Sequence, residues 1–409
     1  MRDTFCPLPF NHLYVKPDGT NLPCCRFRNF DDKNKQVAKN DSLKDYDTLD
    51  DLLNQSKWLG SIREKMLSNT KVSGCESCYV DEKNTGVSMR TMVLDEWKGV
   101  NINEPRVTNI EITFGNYCNF ACRTCGSSLS TSWQEEDKIL SKLYPRSYVP
   151  ERQNVKKEWK PEDFTNVTLL KITGGEPLLH PDFPKFLDTV VESGKADKMT
   201  VNIFSNASMM PKKYILDRLA KFKDVGIWLS IDGMYEMQDY IRHLSNWEKV
   251  EQTTISWLEF QNENPSVIIN LAPTISLYNI LDVEELFSWF LNLRDEILID
   301  PERWSNCTFN VTSWPEYIDC KNLPDKGKIS YKLKKYRQKL STRKEYDTFI
   351  QMMDSIINRL DAPSEQKQLV EFTKINKDLD KLRNQKFTET FPELFSQIKH
   401  IWNNVSGKL

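Results

Sequence analysis

The stretch that decides the fold runs from residue 108 to residue 126 and reads TNIEITFGNYCNFACRTCG. Its first part, residues 108–114, alternates polar and apolar side chains and contains β-branched residues, which predicts a strand. Three cysteines follow at the spacing C-x3-C-x2-C: Cys118, Cys122 and Cys125. In folds with parallel strands, chemistry collects where the strands end. The loop after this strand is therefore the first candidate site.

Further strand and helix signals alternate along the chain. The other predicted strands are residues 167–173, 199–205, 225–231, 266–275 and 307–312. Helical spacing of apolar residues separates them, at residues 127–143, 182–194, 212–222, 246–260 and 282–296. Six strands separated by helices predict an α/β fold whose parallel sheet curls into a partial (β/α)6 TIM-like barrel.

The segments that flank this pattern have a different composition. Residues 1–104 are rich in cysteine and contain one hairpin signal, HLYVKPDGTNLPC, with the turn at residues 17–19. Residues 326–344 are rich in lysine and arginine, and helical spacing continues from there. We therefore predict three domains: a cysteine-rich domain at 1–104, the barrel at 105–320 and a helical C-terminal extension at 321–409.

Composition narrows the class of protein. The 409 residues are 39% hydrophobic, which is enough to build a core, and the net charge of −2 does not predict a nucleic acid partner. No apolar run is long enough to span a membrane, so we expect a cytoplasmic protein without a membrane partner. Ten cysteines are many for a reducing compartment, where clustered thiols indicate metal or redox chemistry.

The cysteine triad leaves three readings open. Three thiolates are one ligand short of closing a four-iron cubane, so one iron would stay open to a small molecule. A structural zinc ion would need a fourth ligand to complete its tetrahedron. The third reading is three unligated, buried thiols.

CNFACRTC, residues 118–125, resembles the signature of the radical S-adenosylmethionine (SAM) superfamily. The resemblance implies that Cys118, Cys122 and Cys125 hold a [4Fe–4S] cluster whose open iron binds SAM. It further implies reductive cleavage of SAM to a 5′-deoxyadenosyl radical, which then abstracts hydrogen from the substrate. The residue before the last cysteine is commonly aromatic in that family, and here it is Thr124.

Motifs at the ends of later predicted strands extend the resemblance. GGEP at 174–177 is similar to the family's contact for the methionyl ammonium group, and SNA and SIDG at 205–207 and 230–233 are similar to its ribose-side motifs. Arg242 is suited to bind the carboxylate of SAM, and Asn270 and Thr274 point the same way along the fifth strand by the strand period of two. The cofactor-binding residues expected in this way are Gly174, Gly175, Glu176, Ser205, Asn206, Ser230, Asp232, Arg242, Asn270 and Thr274.

A second set of cysteines lies near the N-terminus. The hairpin turn would bring Cys24 towards Cys6, and GCESC supplies Cys75 and Cys78 as a close pair. Four thiolates suit either zinc or a second cubane, and spacing alone does not choose between them. Cys25 could replace Cys24 or pack as a small hydrophobic residue.

The hairpin PDGTNLPC and the segment that ends in GCESC resemble the auxiliary-cluster modules called SPASM and twitch domains of radical SAM enzymes. This resemblance implies that Cys6, Cys24, Cys75 and Cys78 bind an auxiliary [4Fe–4S] cluster, here before the barrel. It also implies a reducing electron donor such as flavodoxin or ferredoxin.

The sequence thus predicts a radical SAM oxidoreductase that acts on a peptide or protein. The alternatives are a radical epimerase or methyltransferase that acts on a sugar, nucleotide or other small molecule, and a non-catalytic zinc-binding interaction protein. Cys307 and Cys320, near the sixth predicted strand, are candidate hydrogen donors or buried small residues, and His180 lies close to GGEP.

Overall fold

The structure is a computed structural model that describes residues 4–28, 43–85, 88–95, 100–152, 158–301, 310–341 and 347–409. The strands in these ranges are β1 (His12–Val15), β2 (Asn21–Leu22), β3 (Asn109–Thr113), β4 (Leu169–Thr173), β5 (Thr200–Ser205), β6 (Asp224–Leu229), β7 (Val267–Leu271), β8 (Thr274–Ile275) and β9 (Asn310–Val311). They confirm the alternating strand pattern of residues 108–275.

Helices fill most of the remaining described chain. They are α1 (Leu8–Asn11), α2 (Leu49–Gln55), α3 (Lys57–Leu67), α4 (Glu76–Thr85), α5 (Met89–Asp95), α6 (Gln134–Leu140), α7 (Phe183–Glu192), α8 (Lys213–Leu219), α9 (Tyr235–Ile241), α10 (Trp247–Glu263), α11 (Val283–Ile297), α12 (Gly327–Leu340), α13 (Asp347–Asp361), α14 (Gln366–Arg383), α15 (Phe387–Thr390) and α16 (Pro392–Asn404). None of these helices has the length and apolar character that crossing a bilayer requires.

Seven strands form one sheet in the order β2-β1-β3-β4-β5-β6-β7. β3, β4 and β5 pair in parallel and follow chain order, with Asn109 opposite Leu169 and Leu169 opposite Thr200. Such an arrangement is built by right-handed strand–helix–strand crossovers. The fold is therefore α/β with a largely parallel sheet, as the sequence predicts.

The chain divides into two compact units. The first unit comprises residues 1–117, 152–203 and 212–225, and the second comprises residues 118–151, 204–211 and 226–409. β5 and β6 contribute residues to both units, because the boundaries after residues 203 and 225 fall within these strands.

The predicted hairpin is present in the first unit and has an additional pairing. β1 and β2 are antiparallel, and the Gly19 N–H donates to the Lys16 carbonyl in the turn, where Gly19 has a φ of 83°. This left-handed conformation suits glycine. β1 also pairs in parallel with β3, His12 opposite Asn109, so the hairpin extends the sheet.

The sheet of the first unit has one apolar and one polar face, because side chains alternate along each strand. The apolar face is fully buried and consists of Leu13, Val15, Ile110, Ile112, Leu170, Ile172, Val201 and Ile203. The other face carries Tyr14, Glu111 and Lys171 in one row across β1, β3 and β4. This unit therefore combines a conventional core with a polar sheet surface.

The last two predicted strands differ from the sequence expectation. Residues 266–275 form two strands, β7 and β8, since Pro273 between them has no N–H for a sheet hydrogen bond. Of the predicted sixth strand, residues 310–311 form β9, which pairs with β8 in a separate two-stranded sheet. Cys307 lies outside the described residues.

The C-terminal helices of the second unit pack through aromatic side chains. Phe387 stacks on Trp402 at a centroid distance of 4.6 Å, and Phe391 meets the Tyr240 ring at 5.0 Å. α14 is followed by Asn384, whose φ of 50° gives the left-handed conformation that commonly terminates helices. The helices from α14 onwards therefore form a compact layer with α9.

Candidate functional site

The loop of residues 118–125, called the cluster loop below, opens the second unit. Cys118 and Cys122 are buried, and Cys125 is partly exposed. Two side chains of the short helical turn that follows the loop donate to its carbonyl groups. Trp133 Nε1 donates to the Cys122 carbonyl at 2.8 Å, and Ser132 Oγ donates to the Cys118 carbonyl at 2.9 Å. These bonds satisfy backbone groups that the irregular loop leaves without secondary-structure partners.

Arg123 lies within the cluster loop and is 1% exposed. Its guanidinium donates to Asn376 Oδ1 and to Asp380 Oδ1, each at 2.7 Å, and to Gln385 Oε1 at 3.0 Å. The guanidinium carbon also lies 3.7 Å from the centroid of the Tyr240 ring. A buried cation needs such partners, because desolvation without them is costly. The C-terminal segment therefore anchors the loop that carries the three cysteines.

Two polar side chains of the same unit point at sulfurs of the cluster loop. Asn206 Nδ2 lies 3.8 Å from Cys118 Sγ, and Arg242 Nη1 lies 3.8 Å from Cys122 Sγ. Hydrogen bonds to ligand sulfurs tune iron–sulfur clusters. The structure thus brings two of the predicted SAM contacts, Asn206 and Arg242, to the cysteines themselves.

Arg242 is paired with Asp232, which is fully buried. Arg242 Nη2 lies 3.0 Å from Asp232 Oδ1, and Nε lies 2.9 Å from Oδ2. Burial lowers the pKa of Arg242, but the charges of Asp232 and Cys122 outweigh it and raise that pKa overall. The Thr274 N–H also donates to Asp232 Oδ1, at 2.7 Å. Asp232 and Arg242 are therefore engaged within the protein.

Burial favours the protonated forms of two thiols of the cluster loop, Cys122 and Cys125. Burial raises the pKa of Cys122, while the charge of Arg242 opposes that rise. Burial and the neighbouring Cys122 raise the pKa of Cys125 to about 12. Because a thiol must lose its proton to ligate a metal, a metal bound at this loop would displace protons from these two cysteines.

The remaining predicted SAM contacts of the second unit lie at strand ends. Ser205 is buried and its Oγ accepts from the Ala207 N–H at 3.3 Å, while Ser230 is partly exposed and its N–H donates to the Ser205 carbonyl at 2.7 Å. Asn270 is buried in β7, and its Nδ2 donates to the Ile268 carbonyl. Their role towards SAM stays a prediction.

The GGEP turn belongs to the first unit, where it packs against residues 115–117. The Gly175 N–H donates to the Gly115 carbonyl and the Glu176 N–H to the Tyr117 carbonyl, at 2.8 and 2.7 Å. A Cβ atom on Gly175 would lie 2.2 Å from the Tyr117 carbonyl oxygen, and Gly174 has a φ of 134°. Both glycines are therefore required by backbone packing, whatever they contact besides.

The Glu176 side chain caps the short helical turn that follows, since its carboxylate accepts from the Leu178 N–H at 3.1 Å. His180 is buried beside the Phe114 ring, and burial lowers its pKa to about 4. His180 Nδ1 accepts from the Asp182 N–H. A structural role in this turn accounts for the contacts of His180.

Four cysteines of the first unit line one pocket, called the N-terminal cysteine pocket below: Cys6, Cys24, Cys75 and Cys78. Burial raises the pKa of Cys6 and of Cys24 to about 12, and the charges of the neighbouring thiols add to the rise at each. Cys25 is exposed, and its side chain interacts with Glu111 instead. Both residues belong to the turn that follows β2, in which the Phe27 N–H donates to the Cys24 carbonyl at 3.2 Å.

A buried ion pair supports this pocket. Arg90 Nη1 donates to the Phe5 carbonyl at 2.9 Å and Nε to Glu82 Oε1 at 2.8 Å. Gly74, just before Cys75, has a φ of 99°, and a Cβ atom there would lie 2.4 Å from the Phe27 ring. Arg90 and Gly74 therefore position the segments that carry Cys6 and Cys75.

Within the described ranges, no three His, Cys, Asp or Glu side chains are grouped in a way that could hold a metal ion. A single tetrahedral zinc ion would draw its sulfurs to about 3.8 Å from one another, given Zn–S bonds of about 2.3 Å. A cubane binds each cysteine to a different iron. The absence of such a group in the described residues therefore bears on a single metal ion, and not on a cluster whose cysteines bind different irons.

Sequence reasoning missed several residues of interest. Arg123 and Arg90 support the two cysteine sets, and the polar face of the first unit carries an ion pair, Lys171 Nζ to Glu111 Oε1 at 3.1 Å. Tyr14 contacts Thr113 on that face at 2.9 Å. The alternation in NIEIT of β3 was the available signal, because a strand buried on both faces in a parallel sheet usually lacks it.

Cys320 is fully buried, and burial raises its pKa to about 12. It begins a short helical turn that follows Asp319, whose side chain accepts from the Lys321 N–H. This environment is typical of an inert, buried thiol.

Residues 112–286 match the family model described as the Radical SAM superfamily. The match begins in β3, includes the cluster loop and all the predicted SAM contacts, and ends in α11. This stretch of the chain, somewhat less than half of it, is therefore similar to the radical SAM family, whose chemistry uses SAM with a [4Fe–4S] cluster. No curated protein matches the chain.

Solved structures of radical SAM enzymes are weakly similar. Streptococcus suis SuiB bound to S-adenosylmethionine is 17% identical over 57% of this chain and 45% of that chain, with a TM-score of 0.34. Native anSMEcpe with bound AdoMet is 15% identical over 68% and 62%, also at 0.34. Native anSMEcpe with AdoMet and the Cp18Cys peptide is 15% identical over 56% and 57%, at 0.33. The chain thus spans about half of these chains, and scores this low do not establish a shared overall fold.

Proposed function

We propose that this protein is a radical SAM oxidoreductase in which Cys118, Cys122 and Cys125 hold a [4Fe–4S] cluster. One observation carries the proposal: the three thiols, two of them buried, lie on one loop that follows β3, inside the stretch that matches the radical SAM family. When bound, the cluster and SAM supply the radical that takes hydrogen from the substrate. The protein supplies positioning and exclusion of water.

The residues around the cluster loop fit a three-thiolate ligand set. Thiolates are soft ligands that suit iron–sulfur clusters, and three of them leave one iron open. Asn206 and Arg242 direct N–H groups at two of the sulfurs, and Trp133 binds the Cys122 carbonyl of the loop.

We further propose that Cys6, Cys24, Cys75 and Cys78 bind an auxiliary [4Fe–4S] cluster. The N-terminal cysteine pocket supports this assignment because all four thiols line it and Cys25 does not. Four protein ligands close the coordination of a cubane, which suits electron transfer. Flavodoxin or ferredoxin remains the predicted source of electrons.

The proposed substrate is a peptide or protein. The polar face of the first unit supports a substrate with hydrogen-bonding groups, since it carries the Tyr14 hydroxyl, bonded to Thr113, and the ion pair of Lys171 with the buried Glu111. Epimerisation or methylation of a small molecule, at the same cluster, remains the alternative reaction. Turnover with peptide and small-molecule libraries separates these substrate classes.

Anaerobic reconstitution followed by metal analysis tests the cluster proposal. Two cubanes require about eight irons per chain. We expect brown protein with that iron content and, after reduction with SAM, formation of 5′-deoxyadenosine. Colourless protein that contains zinc and no iron, and forms no 5′-deoxyadenosine, would show that the zinc-binding alternative is correct. Methyl transfer to a substrate without accumulation of 5′-deoxyadenosine would favour a methyltransferase.

A further inference from the structure

The Arg242 guanidinium lies between a sulfur of the cluster loop and a buried carboxylate, all in the second unit. Nη1 is 3.8 Å from Cys122 Sγ, and the other two nitrogens are within 3.0 Å of Asp232 oxygens. Arg242 is 7% exposed and Asp232 is completely buried. In such surroundings a charge acts more strongly on its neighbours than it does in water.

This arrangement differs from the role that the sequence predicts for Arg242. A residue that binds the SAM carboxylate would direct its N–H groups at a ligand. Here Nη2 donates to Asp232 Oδ1 and Nη1 faces Cys122, while Nε lies 2.9 Å from Asp232 Oδ2 without the geometry of a hydrogen bond. Asp232 is itself fixed by the Thr274 N–H at 2.7 Å. The contacts therefore connect Arg242 to the proposed cluster ligand.

We propose that Arg242 is a positioning residue that raises the reduction potential of the cluster through the Cys122 sulfur, and that Asp232 orients it and offsets part of the effect. The inference rests on the proposed cluster at the cluster loop. Reduction adds one negative charge to the cluster. A nearby cation and an N–H···S contact stabilise the reduced form more than the oxidised form, whereas a carboxylate does the opposite.

The test is a redox titration of the reconstituted full chain without SAM, followed by electron paramagnetic resonance. R242Q removes the cation and keeps the carboxylate, so we expect a more negative midpoint potential. At the same solution potential, the ratio of reduced to oxidised cluster should be at least tenfold lower in R242Q than in the wild type. This ratio corresponds to a shift of about 59 mV in the midpoint potential for one electron.

D232N makes the opposite change, because it keeps the cation and removes the carboxylate. Its midpoint potential should rise above that of the wild type. In the double variant R242Q/D232N both charges are gone, so its potential should lie between those of the single variants. R337Q is the matched control: Arg337 pairs with Asp354, but both side chains are about 40% exposed, and no shift is expected.

Measurement without SAM separates this role from binding of the SAM carboxylate. If Arg242 only bound SAM, R242Q would weaken SAM affinity and keep the SAM-free potential of the wild type. Wild-type potentials in both R242Q and D232N overturn the inference. If R242Q takes up no iron, the midpoint potential of D232N becomes the test. A D232N potential that is no higher than that of the wild type overturns the inference. Wild-type protein that forms no cluster instead overturns the proposed function.

Discussion

The two cysteine sets of this protein are held in opposite ways. In the cluster loop the three cysteines lie within eight residues of sequence, but the side chains that accept from Arg123 lie 253 to 262 residues further along the chain. In the N-terminal cysteine pocket the four cysteines come from three separated segments, and Arg90 binds both Glu82, eight residues away, and the Phe5 carbonyl, 85 residues away. The first set is local in sequence and is supported by a distant segment, whereas the second set is scattered and is supported by contacts within its own unit.

Because of this difference, we expect each cysteine set to be disrupted by different substitutions. Because the cluster loop has no regular secondary structure of its own, its shape depends on the C-terminal helices through Arg123. The N-terminal cysteine pocket depends on the packing of its own unit, in which Gly74 and Arg90 hold the ligand segments. The variants below test whether the two sets respond separately.

The largest effect is expected from Arg123→Met. The change leaves Asp380 and the amides of Asn376 and Gln385 without their cation, and breaking a buried pair in this way costs about 3–5 kcal/mol. Chemical denaturation should show that loss, and iron analysis should show loss of the cluster-loop iron. Arg337→Met, at an exposed pair, should cost about 1 kcal/mol or less. Wild-type stability and iron content in Arg123→Met would contradict the anchoring role.

Arg90→Met should have a smaller effect that is confined to the other cysteine set. The Arg90 and Glu82 side chains are 10% and 19% exposed, so losing the charged hydrogen bonds should cost about 1.5–3 kcal/mol. We expect loss of about four irons, since one cubane is lost, together with retained 5′-deoxyadenosine formation. Equal loss of both iron sets would mean that the two sites do not behave separately.

Gly175→Ala tests the backbone that leads into the cluster loop. Its Cβ atom would meet the Tyr117 carbonyl oxygen at 2.2 Å, and Tyr117 directly precedes Cys118. Relief of this overlap should cost about 1–3 kcal/mol, measured by denaturation. Gly60→Ala is the control, because its Cβ atom would make only an ordinary contact with Arg63 Nη2 at 3.9 Å and should stabilise α3 by about 0.5–1 kcal/mol. A Gly175→Ala protein as stable as the wild type would contradict the close approach.

The smallest effect is expected from Cys25→Ser. Cys25 is exposed and does not line the N-terminal cysteine pocket, so iron content and 5′-deoxyadenosine formation should match those of the wild type. Cys24→Ser is the positive comparison and should lose the iron of the N-terminal cluster. If Cys25→Ser loses iron and Cys24→Ser keeps it, the ligand assignment is reversed.

The local part of the fold was predictable from the sequence. Strand alternation located β3 to β7, and helical spacing located α7, α8, α10 and α11 to within a few residues, because both periods follow from local backbone geometry. The pairing of β1 with β3 was not predictable, since it joins residues about a hundred positions apart. Pro273 marks the split of β7 from β8, a signal that was present in the sequence and missed.

In the candidate site, too, the local sequence predicted the residues themselves, while their long-range contacts could not be predicted. Spacing and motif resemblance predicted the cysteines, Asp232 and Arg242 as site residues. They did not predict which groups Asp232 and Arg242 contact. That Arg242 faces Cys122 while Asp232 fixes it depends on packing among α9, β8 and the cluster loop. Arg123 carries no sequence signal of burial, because arginine is mostly exposed and its acceptors lie in α14 and just beyond it.

The most direct test compares two matched cysteine variants. Each is reconstituted anaerobically, reduced and incubated with SAM, and 5′-deoxyadenosine is quantified. The variant Cys118→Ala/Cys122→Ala/Cys125→Ala should form none, whereas Cys6→Ala/Cys75→Ala/Cys78→Ala should still form it. Formation that persists in the first variant, or depends only on the second set of cysteines, would contradict the assignment of the cluster loop as the site of SAM cleavage.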